Sequence, residues 1–582
     1  MARRIVRRSL PEVLLPLPAH LSPVLARVYA GRRVVDPVEL DYALGRLLPF
    51  DGLGGLAAAS ALLAEALTTG QRVLVVGDFD ADGATSTALV VRVLRAMGAS
   101  EVDYLVPNRF EYGYGLTPEI VAVAAARRPD LIVTVDNGIS SLEGVRAARD
   151  LGCRVLVTDH HLPGAELPPA DAIVNPNCAG DPFPSKHLAG VGVAFYVMAA
   201  LRAELRRRGW FERRGIPDPH LASVLDLVAV GTVADVVPLD HNNRVLVAQG
   251  LARIRAGLGC AGLRALARVA GRPLERLTAT DLGFAVAPRL NAAGRLQDIS
   301  LGIACLLEDD PGRALALARE LDALNAERRA LEAEMHAAAL EALARVEQDD
   351  RGALPAGVCL YDPAWHPGVV GLLASRIKDR LHRPVIAFAP GHDGGLRGSG
   401  RSVPGVHLRD TLEAVALRHP PLLTRFGGHA MAAGVSLAPG DFAAFAQAFG
   451  REVAARADPV DLAGAIVTDG SLAEDELGLE VAESLREGGP WGQGFPEPLF
   501  DGEFAVLRQQ VFGERHRRLT VRLPGGQRAV EAVAFNALEH PWPADGGVVR
   551  IAYRLEVNDW RGTRAARLVV EEVEKSGGPR AQ

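Results

Sequence analysis

Three apolar runs in this chain of 582 residues each end on side chains that can hold a metal. Residues 73–76 lead into Gly77-Asp78-Phe79-Asp80-Ala81-Asp82-Gly83, and residues 131–135 lead into Asp136-Asn137-Gly138. Residues 155–158 lead into Asp159-His160-His161. Short, largely apolar runs of this kind read as buried strands of a parallel sheet, whose ligand crevice lies at the C-terminal strand ends. Taken singly, each motif also has a plainer reading. Asp80 and Asp82 could sit on one side of a strand end, or make an Asp-Gly turn with a helix cap. Asp136-Asn137-Gly138 alone is a turn signature, and adjacent histidines can be a solvated loop pair. Taken together they point elsewhere. Several carboxylates meeting in one crevice repel, and burial raises their pKa values unless cations neutralise them. No lysine lies within any of these motifs. Carboxylate and imidazole ligands without thiolate suit manganese or magnesium better than zinc. No serine or cysteine nucleophile with a paired base is evident.

The elements that must carry these residues follow from patterning. An Ala/Leu-rich helix over 56–67 precedes the first strand, a helix follows Asp82, and strands and helices alternate up to His161. That is the signature of a doubly wound α/β sheet. The apolar segment 221–239 starts as a helix and carries Asp226, read as structural, and Asp235. Residues 288–296 read as a loop closing this domain. Asp309-Asp310-Pro311 is a helix start, and the helix it opens runs to about residue 348. Leu317, Leu321, Leu324, Leu331 and Met335 form its apolar stripe. Such a helix would be roughly 50–60 Å long at about 1.5 Å per residue, a length suited to joining domains. Beyond Gly352 the α/β alternation resumes, with glycine-rich turns expected at 398–405 and 427–434. Short alternating strands after residue 462 read as a small β-barrel of the oligonucleotide-binding type.

Bulk properties narrow the class. The length calls for several domains. The net charge of −6 means that any nucleic-acid contact comes from local patches. The five cysteines are scattered with no Cys-x-x-Cys, which argues against zinc knuckles and a disulfide framework. Prolines at 11, 16 and 18 interrupt any signal-like apolar run. A cytoplasmic protein with no membrane segment is the expectation.

Several of these motifs, in this order, resemble the DHH phosphoesterase superfamily. The four motifs are residues 77–86, Asp136-Asn137-Gly138, Asp159-His160-His161 and Gly231-Thr232-Val233-Ala234-Asp235. Asn325 and Arg328, Trp365-His366-Pro367-Gly368, Gly398-Ser399-Gly400-Arg401-Ser402 and Gly427-Gly428-His429 resemble its associated second domain. With Pro107-Asn108-Arg109-Phe110 and Pro490-Trp491-Gly492-Gln493-Gly494, the pattern is similar to the RecJ family within that superfamily, from about residue 73 to 573. The resemblance implies an N-terminal extension (1–48), a DHH catalytic domain (49–305), a long connecting helix (306–350), a DHH-associated domain (351–457), an OB-fold domain (458–574) and a disordered tail (575–582). On this plan no further C-terminal domain is expected.

The resemblance also implies roles. Asp80 and Asp82 would each hold one of two divalent metals, Mn²⁺ or Mg²⁺, with Asp136 bridging. His160 and Asp235 would complete the second site. Asp78 would be either a further ligand or a hydrogen-bond partner behind the ligands. His161 would face the substrate phosphate. The implied activity is a 5′→3′ exonuclease on single-stranded DNA, releasing 5′-mononucleotides in recombination and repair. It would act as a monomer beside a helicase and single-strand-binding protein.

Phosphate and strand contacts are expected from Arg109, which could grip a 5′-phosphate through its bidentate fork, and from Arg289, Ser399 and Arg401. His429 fits a packed side chain or a phosphate contact equally. On the barrel, Arg517 and Arg518 lie in an Arg-rich group with Phe504, Phe512 and Trp560 as candidate stacking partners. Duplex would be excluded by a passage too narrow for two strands. The alternatives are a small-substrate DHH phosphatase or nanoRNase, and a catalytically inactive DNA-binding scaffold. The barrel and long helix weigh against the first, and the intact acidic set against the second.

Overall fold

The structure is a computed structural model that describes residues 3–11, 21–107, 112, 114–349, 354–391, 394–458, 462, 464–513, 515–537, 542–560 and 563–574. Arg109, the side chain of Trp560 and the tail 575–582 lie outside the described residues. The chain divides into two compact units. One comprises Asp36–Ala326 and Gly488–Glu497; the other comprises Met1–Val35, Glu327–Glu487 and Pro498–Gln582.

The first unit is built on five parallel strands: Val73–Gly77, Val102–Leu105, Leu131–Val135, Arg154–Thr158 and Ala172–Val174. Val73–Gly77 lies between Val102–Leu105 and Leu131–Val135, and the remaining strands follow outward in chain order. The strand order therefore reverses around Val73–Gly77. An open parallel sheet has its crevice at that reversal, beyond the carboxyl ends of the strands. Val73–Gly77 and Leu131–Val135 are buried along their whole length, which explains their nearly continuous apolar sequences.

One expectation fails here. The segment read as a loop at 288–296 is a helix, Ala287–Leu296, entered through a wide helical turn over Leu282–Val286. Pro288 lies in its first turn, where a missing N–H is tolerated. Gly294, within this helix, sits where a Cβ would come within 1.9 Å of the Phe79 carbonyl oxygen. A packing demand, and not a turn, put glycine there.

The helix Pro311–Asp349 spans 39 residues, and the division between the units falls within it. Its buried stripe is Ala314, Ala318, Leu321, Leu324, Met335, Ala339 and Leu343. Leu317 and Leu331, expected on that stripe, are only half-buried beside it. Alanine holds several of the buried positions, and weighting by large side chains hides them.

The second unit holds a five-stranded mixed sheet in the order Arg425–Gly428, Ala432–Leu437, Leu396–Arg401, Val385–Pro390, Val358–Tyr361. Gly398, Gly400, Gly427 and Gly434 lie within its strands, so the expected glycine-rich turns are largely sheet. A Cβ at Gly398 would meet the Phe388 ring at 2.4 Å, and one at Gly400 would meet Leu408 at 2.8 Å. The same unit contains a closed five-stranded barrel of Phe500–Phe512, His516–Arg522, Ala529–Ala534, Thr563–Glu574 and Val548–Trp560.

Two short stretches depart from a linear domain plan. Strand Arg4–Arg7 pairs in parallel with Ala465–Thr468, so the start of the chain belongs with the barrel unit. Residues 488–497 belong with the first unit. There Trp491 stacks on Phe495 with centroids 5.1 Å apart, and the Arg244 guanidinium lies 4.4 Å from the Phe495 ring centroid.

Charge pairs fasten the N-terminal stretch. Arg32, with no exposed side-chain surface, makes two 3.0 Å bonds to Asp469, which also accepts from Arg8 and from the Leu499 amide. Burial lowers the Arg32 pKa, and Asp469 opposes that shift. Asp469→Ala is expected to leave a buried guanidinium without its carboxylate and to cost about 3–5 kcal/mol. Denaturant unfolding followed on the barrel unit checks this; a loss indistinguishable from that of an exposed pair would contradict it.

Candidate metal centre

The first motif leaves the sheet through Gly77, where a Cβ would lie 2.2 Å from Thr87 Oγ1. Asp78 is buried and accepts from the Phe79 amide at 2.8 Å. The expectation that Asp80 and Asp82 share one side of a strand end is not met. The chain has already turned into a helix, Ala81–Ala96, and Asp80 is its N-cap. Its Oδ1 accepts from the amides of Asp82 at 2.9 Å and Gly83 at 3.1 Å. The plainer cap reading is therefore correct for Asp80, and it does not exclude the metal reading, because a carboxylate has lone pairs to spare. Asp82, in the first turn, accepts from the amides of Gly190 (2.6 Å) and Val191 (2.9 Å) at the start of helix Gly190–Arg207. A helix N-terminus thus aims two donors and its dipole at a buried acid.

Asp136 follows Leu131–Val135 in a left-handed conformation, φ 62°, and Gly138 follows at φ 111°. Non-glycine residues held at such angles are strained and cluster at functional sites. Neighbouring strands fix the turn. The Asp136 amide donates to Thr158 O, and Asn137 Nδ2 donates to Val76 O at 3.1 Å and Val135 O at 2.9 Å. Asp159 organises the third motif. Its Oδ1 accepts from the His160 amide, the His161 amide and His161 Nδ1, and its Oδ2 accepts from the Ile139 amide. Asn177 and Asn175 hold the carbonyls of His160 and His161. Asp235 stands at the end of helix Leu225–Ala234.

These separate elements converge. Asp78, Asp80 and Asp136 bring carboxylate oxygens within 4.8 Å of one another; so do the ligand atoms of Asp82, His160 and Asp235, and those of Asp136, His160 and His161. His160 Nε2 lies 3.1 Å from Asp136 Oδ1 and 3.5 Å from Asp235 Oδ2. Asp136 and His160 each belong to two of the three groups.

The electrostatics call for positive charge. Burial, then repulsion from Asp82, Asp80, Asp78 and Asp235, pushes Asp136 well above the carboxylate range. Burial and then Asp80 push Asp82 up to about 7, against the pull of the Val191 and Gly190 amides. Burial and the neighbouring acids likewise raise Asp235. For Asp159, burial acts upward, but the hydrogen bond and charge of His161 hold it below the usual range. Burial would lower His161, but Asp159 dominates and raises it to about 9. Asp136 Oδ1 is buried without a hydrogen-bond donor. An all-oxygen-and-imidazole set with such an atom at its centre fits hard divalent cations.

Two glycines keep the pocket open. A Cβ at Gly190 would lie 2.5 Å from Asp136 Cβ and 2.6 Å from its Oδ1. One at Gly231 would lie 2.3 Å from Thr85 Oγ1 and 2.7 Å from Asp82 Oδ1.

The chain's likeness to known proteins agrees with this pocket. A DHH family, N-terminal domain, model matches residues 72–232, a DHHA1 domain matches 355–455, and a RecJ OB domain matches 468–572. The single-stranded-DNA-specific exonuclease RecJ of Escherichia coli K12 is 54% identical over 569 residues, covering 97% of this chain and 98% of that protein. The chain belongs to the RecJ family. RecJ of Haemophilus influenzae is 48% identical over 578 residues, covering 99% of each chain. The crystal structure of Thermus thermophilus RecJ in complex with Mn²⁺ matches with a TM-score of 0.80 at 35% identity, covering 100% of this chain and 80% of that one. A second RecJ structure, bound to manganese, covers 71% of this chain and 97% of that one, with a TM-score of 0.58 and 40% identity.

The other expected RecJ contacts stand as follows. Arg289 is nearly buried and paired with Asp322 at 2.8 Å, with a further bond to Ala285 O, so its guanidinium is engaged within the fold. In the second unit, Arg401 Nη1 donates to Ser399 Oγ at 3.1 Å and to Gly400 O, and His429 is exposed. Arg517 donates to Gln509, and Arg518 lies 3.6 Å from Glu531 with its guanidinium 5.6 Å from the Phe512 ring centroid. Phe504 is wholly buried, a barrel-core residue and not a stacking platform. Asp226 accepts from the Cys260 amide at 2.6 Å and belongs to none of the three ligand groups.

Sequence reading gave no separate role to Asp159, although it opens the motif, or to Asn175 and Asn177. Tyr114 was also missed. Its hydroxyl lies 3.2 Å from His161 Nδ1 and 3.3 Å from Asp136 O, and nothing in the spacing of its surroundings announces that. Gly190→Ala is expected to displace the Asp136 carboxylate and lower Mn²⁺ affinity by about 10–100-fold. Calorimetric titration checks this; unchanged affinity would mean that Asp136 does not hold the ion.

Proposed function

We propose that Asp80, Asp82, Asp136, His160 and Asp235 hold a pair of divalent cations, Mn²⁺ or Mg²⁺, at the catalytic centre of this exonuclease. The reaction is hydrolysis of phosphodiester bonds in single-stranded DNA from the 5′ end, releasing 5′-mononucleotides, in recombination and repair. The observation that carries the assignment is that acids and imidazoles from four separate segments share one pocket at the sheet's reversal point. When bound, such a pair lowers the pKa of a water and balances charge on the leaving oxygen.

The chain's own residues do the positioning. Asp136 lies at the overlap of the groups and would bridge the two sites; Asp78 completes the group formed with Asp80 and Asp136. The Gly190 and Val191 amides fix Asp82. Asp159 fixes His161 through Nδ1, leaving Nε2, beside the Tyr114 hydroxyl, to meet a phosphate oxygen. Arg109, Ser399, Arg401 and His429 are proposed to contact phosphate, and Arg517 and Arg518 the strand on the barrel. Arg289, held by Asp322, would act by supporting its helix, which also anchors the first motif: Asn291 accepts from the Ala81 amide at 2.8 Å.

Among the described residues no single helix is long and apolar enough to cross a membrane. A cytoplasmic monomer working beside a helicase and single-strand-binding protein is the setting we propose, on the strength of the family's role in repair.

Digestion of 5′-labelled and 3′-labelled single strands with Mn²⁺, Mg²⁺ or chelator tests polarity and metal dependence together. Early release of label from the 5′-labelled strand alone, abolished by chelator, is expected. Asp136→Ala is expected to lower turnover by more than the roughly 100-fold typical of an outer partner while strand binding persists. Turnover near wild type would refute the assignment.

A further inference from the structure

Exposed apolar side chains directly follow two members of the acidic and imidazole set, and a third stands on a turn packed against the helix that ends at Asp235. Leu162, directly after His161, is 63% exposed, and Val236, directly after Asp235, is 62% exposed. Phe284 is 84% exposed, the most of any large apolar residue among those described.

Val236 carries a specific anomaly. It is β-branched yet held at φ 59°, a conformation that glycine or asparagine adopts readily and that is an outlier for valine. Its side chain is in water, so core packing does not explain why valine stands there. Phe284 sits on the wide turn Leu282–Val286 that leads into the helix contacting Phe79 and Ala81. The preceding residue is Gly283, where a Cβ would lie 3.2 Å from Val233 Cγ1, two residues before Asp235. The missing side chain lets that turn lie close against the helix that delivers Asp235. Single exposed apolar residues are ordinary on protein surfaces. Two that directly follow members of the acidic and imidazole set, one of them strained, and a third on a turn packed against the helix that ends at Asp235, are not explained by that.

We infer that Leu162, Val236 and Phe284 form a platform for the unpaired bases beside the scissile phosphodiester. The inference rests on the exonuclease reading and adds a basis for strand selection to it. The acidic centre addresses phosphate, which every nucleic acid carries. An aromatic or branched aliphatic face addresses the flat face of a base, which stacking and pairing hide inside a duplex. Stacking of this kind is tolerant of sequence. Preference for single strands is then set chemically within the catalytic unit, whatever the width of the path leading to it.

The test is strand binding by anisotropy in Ca²⁺. A 5′-phosphorylated oligothymidylate is compared with a strand of equal length carrying abasic residues at its first 5′ positions. Phe284→Ala is expected to raise Kd for oligothymidylate by roughly five- to a hundredfold, Phe284→Trp to restore it, and the abasic strand to erase the difference. Val236→Asn, which suits the left-handed backbone, is expected to keep or raise the melting temperature while weakening binding of the thymidylate strand. An unchanged Kd in both variants, or equal weakening on the abasic strand, would overturn the proposal. Failure of the wild type to digest single strands would instead refute the exonuclease reading, and the binding comparison would still decide this one.

Discussion

Like charges held together out of water set the terms for the catalytic unit. Asp78, Asp82 and Asp136 are almost without solvent contact, and Asp235 and Asp80 lie among them. Burial and mutual repulsion raise the pKa values of Asp82, Asp136 and Asp235. A pocket of this kind persists only if the fold holds the acids in place at a cost and something positive relieves them. Each structural device around it serves one of those ends. The first turn of Gly190–Arg207 aims amides at Asp82. Asn137 ties two strand ends together behind Asp136. Gly190 and Gly231 remove the side chains that would otherwise fill the space of Asp136 and Asp82.

The second unit has a different character. Two of its buried acids each meet two guanidinium groups. Asp469 faces Arg32 and Arg8, and Asp501 faces Arg7 and Arg550. Here opposite charges hold a strand from the start of the chain beside a barrel formed near its end. Among the described residues, by contrast, no lysine or arginine pairs with Asp80, Asp82, Asp136 or Asp235. That difference, and not the number of acids, separates a structural charge cluster from a candidate metal centre.

Much of the site could be read from the sequence because three ligand-bearing motifs follow uninterrupted strands, a pattern local enough to see. The four ligand-bearing segments do converge, and the parallel sheet, the long helix and the barrel are present. What escaped is non-local. No local signal shows that Asp82 is capped by amides more than a hundred residues away, or that Arg4–Arg7 pairs with Ala465–Thr468. Glycine carries the same meaning at two places. At Gly294 and Gly398 it answers a close approach by another element, whereas sequence alone offers a turn as the default meaning. At 288–296 a helix escaped notice, and proline in the first turn of a helix looks, residue by residue, like proline in a loop. The left-handed backbone at Asp136 was hinted at by the following Asn-Gly; that at Val236 was not, since valine is the wrong residue for it.

The central claim is that the convergent acids exist to hold two cations at once, with one carboxylate common to both. Titration of the metal-free protein with Mn²⁺, followed by electron paramagnetic resonance, addresses this directly. The account predicts two bound ions per chain with the spectrum of a magnetically coupled pair, and loss of the coupling when Asp136 is replaced. A single bound ion at saturation, or two ions that never couple, would contradict it.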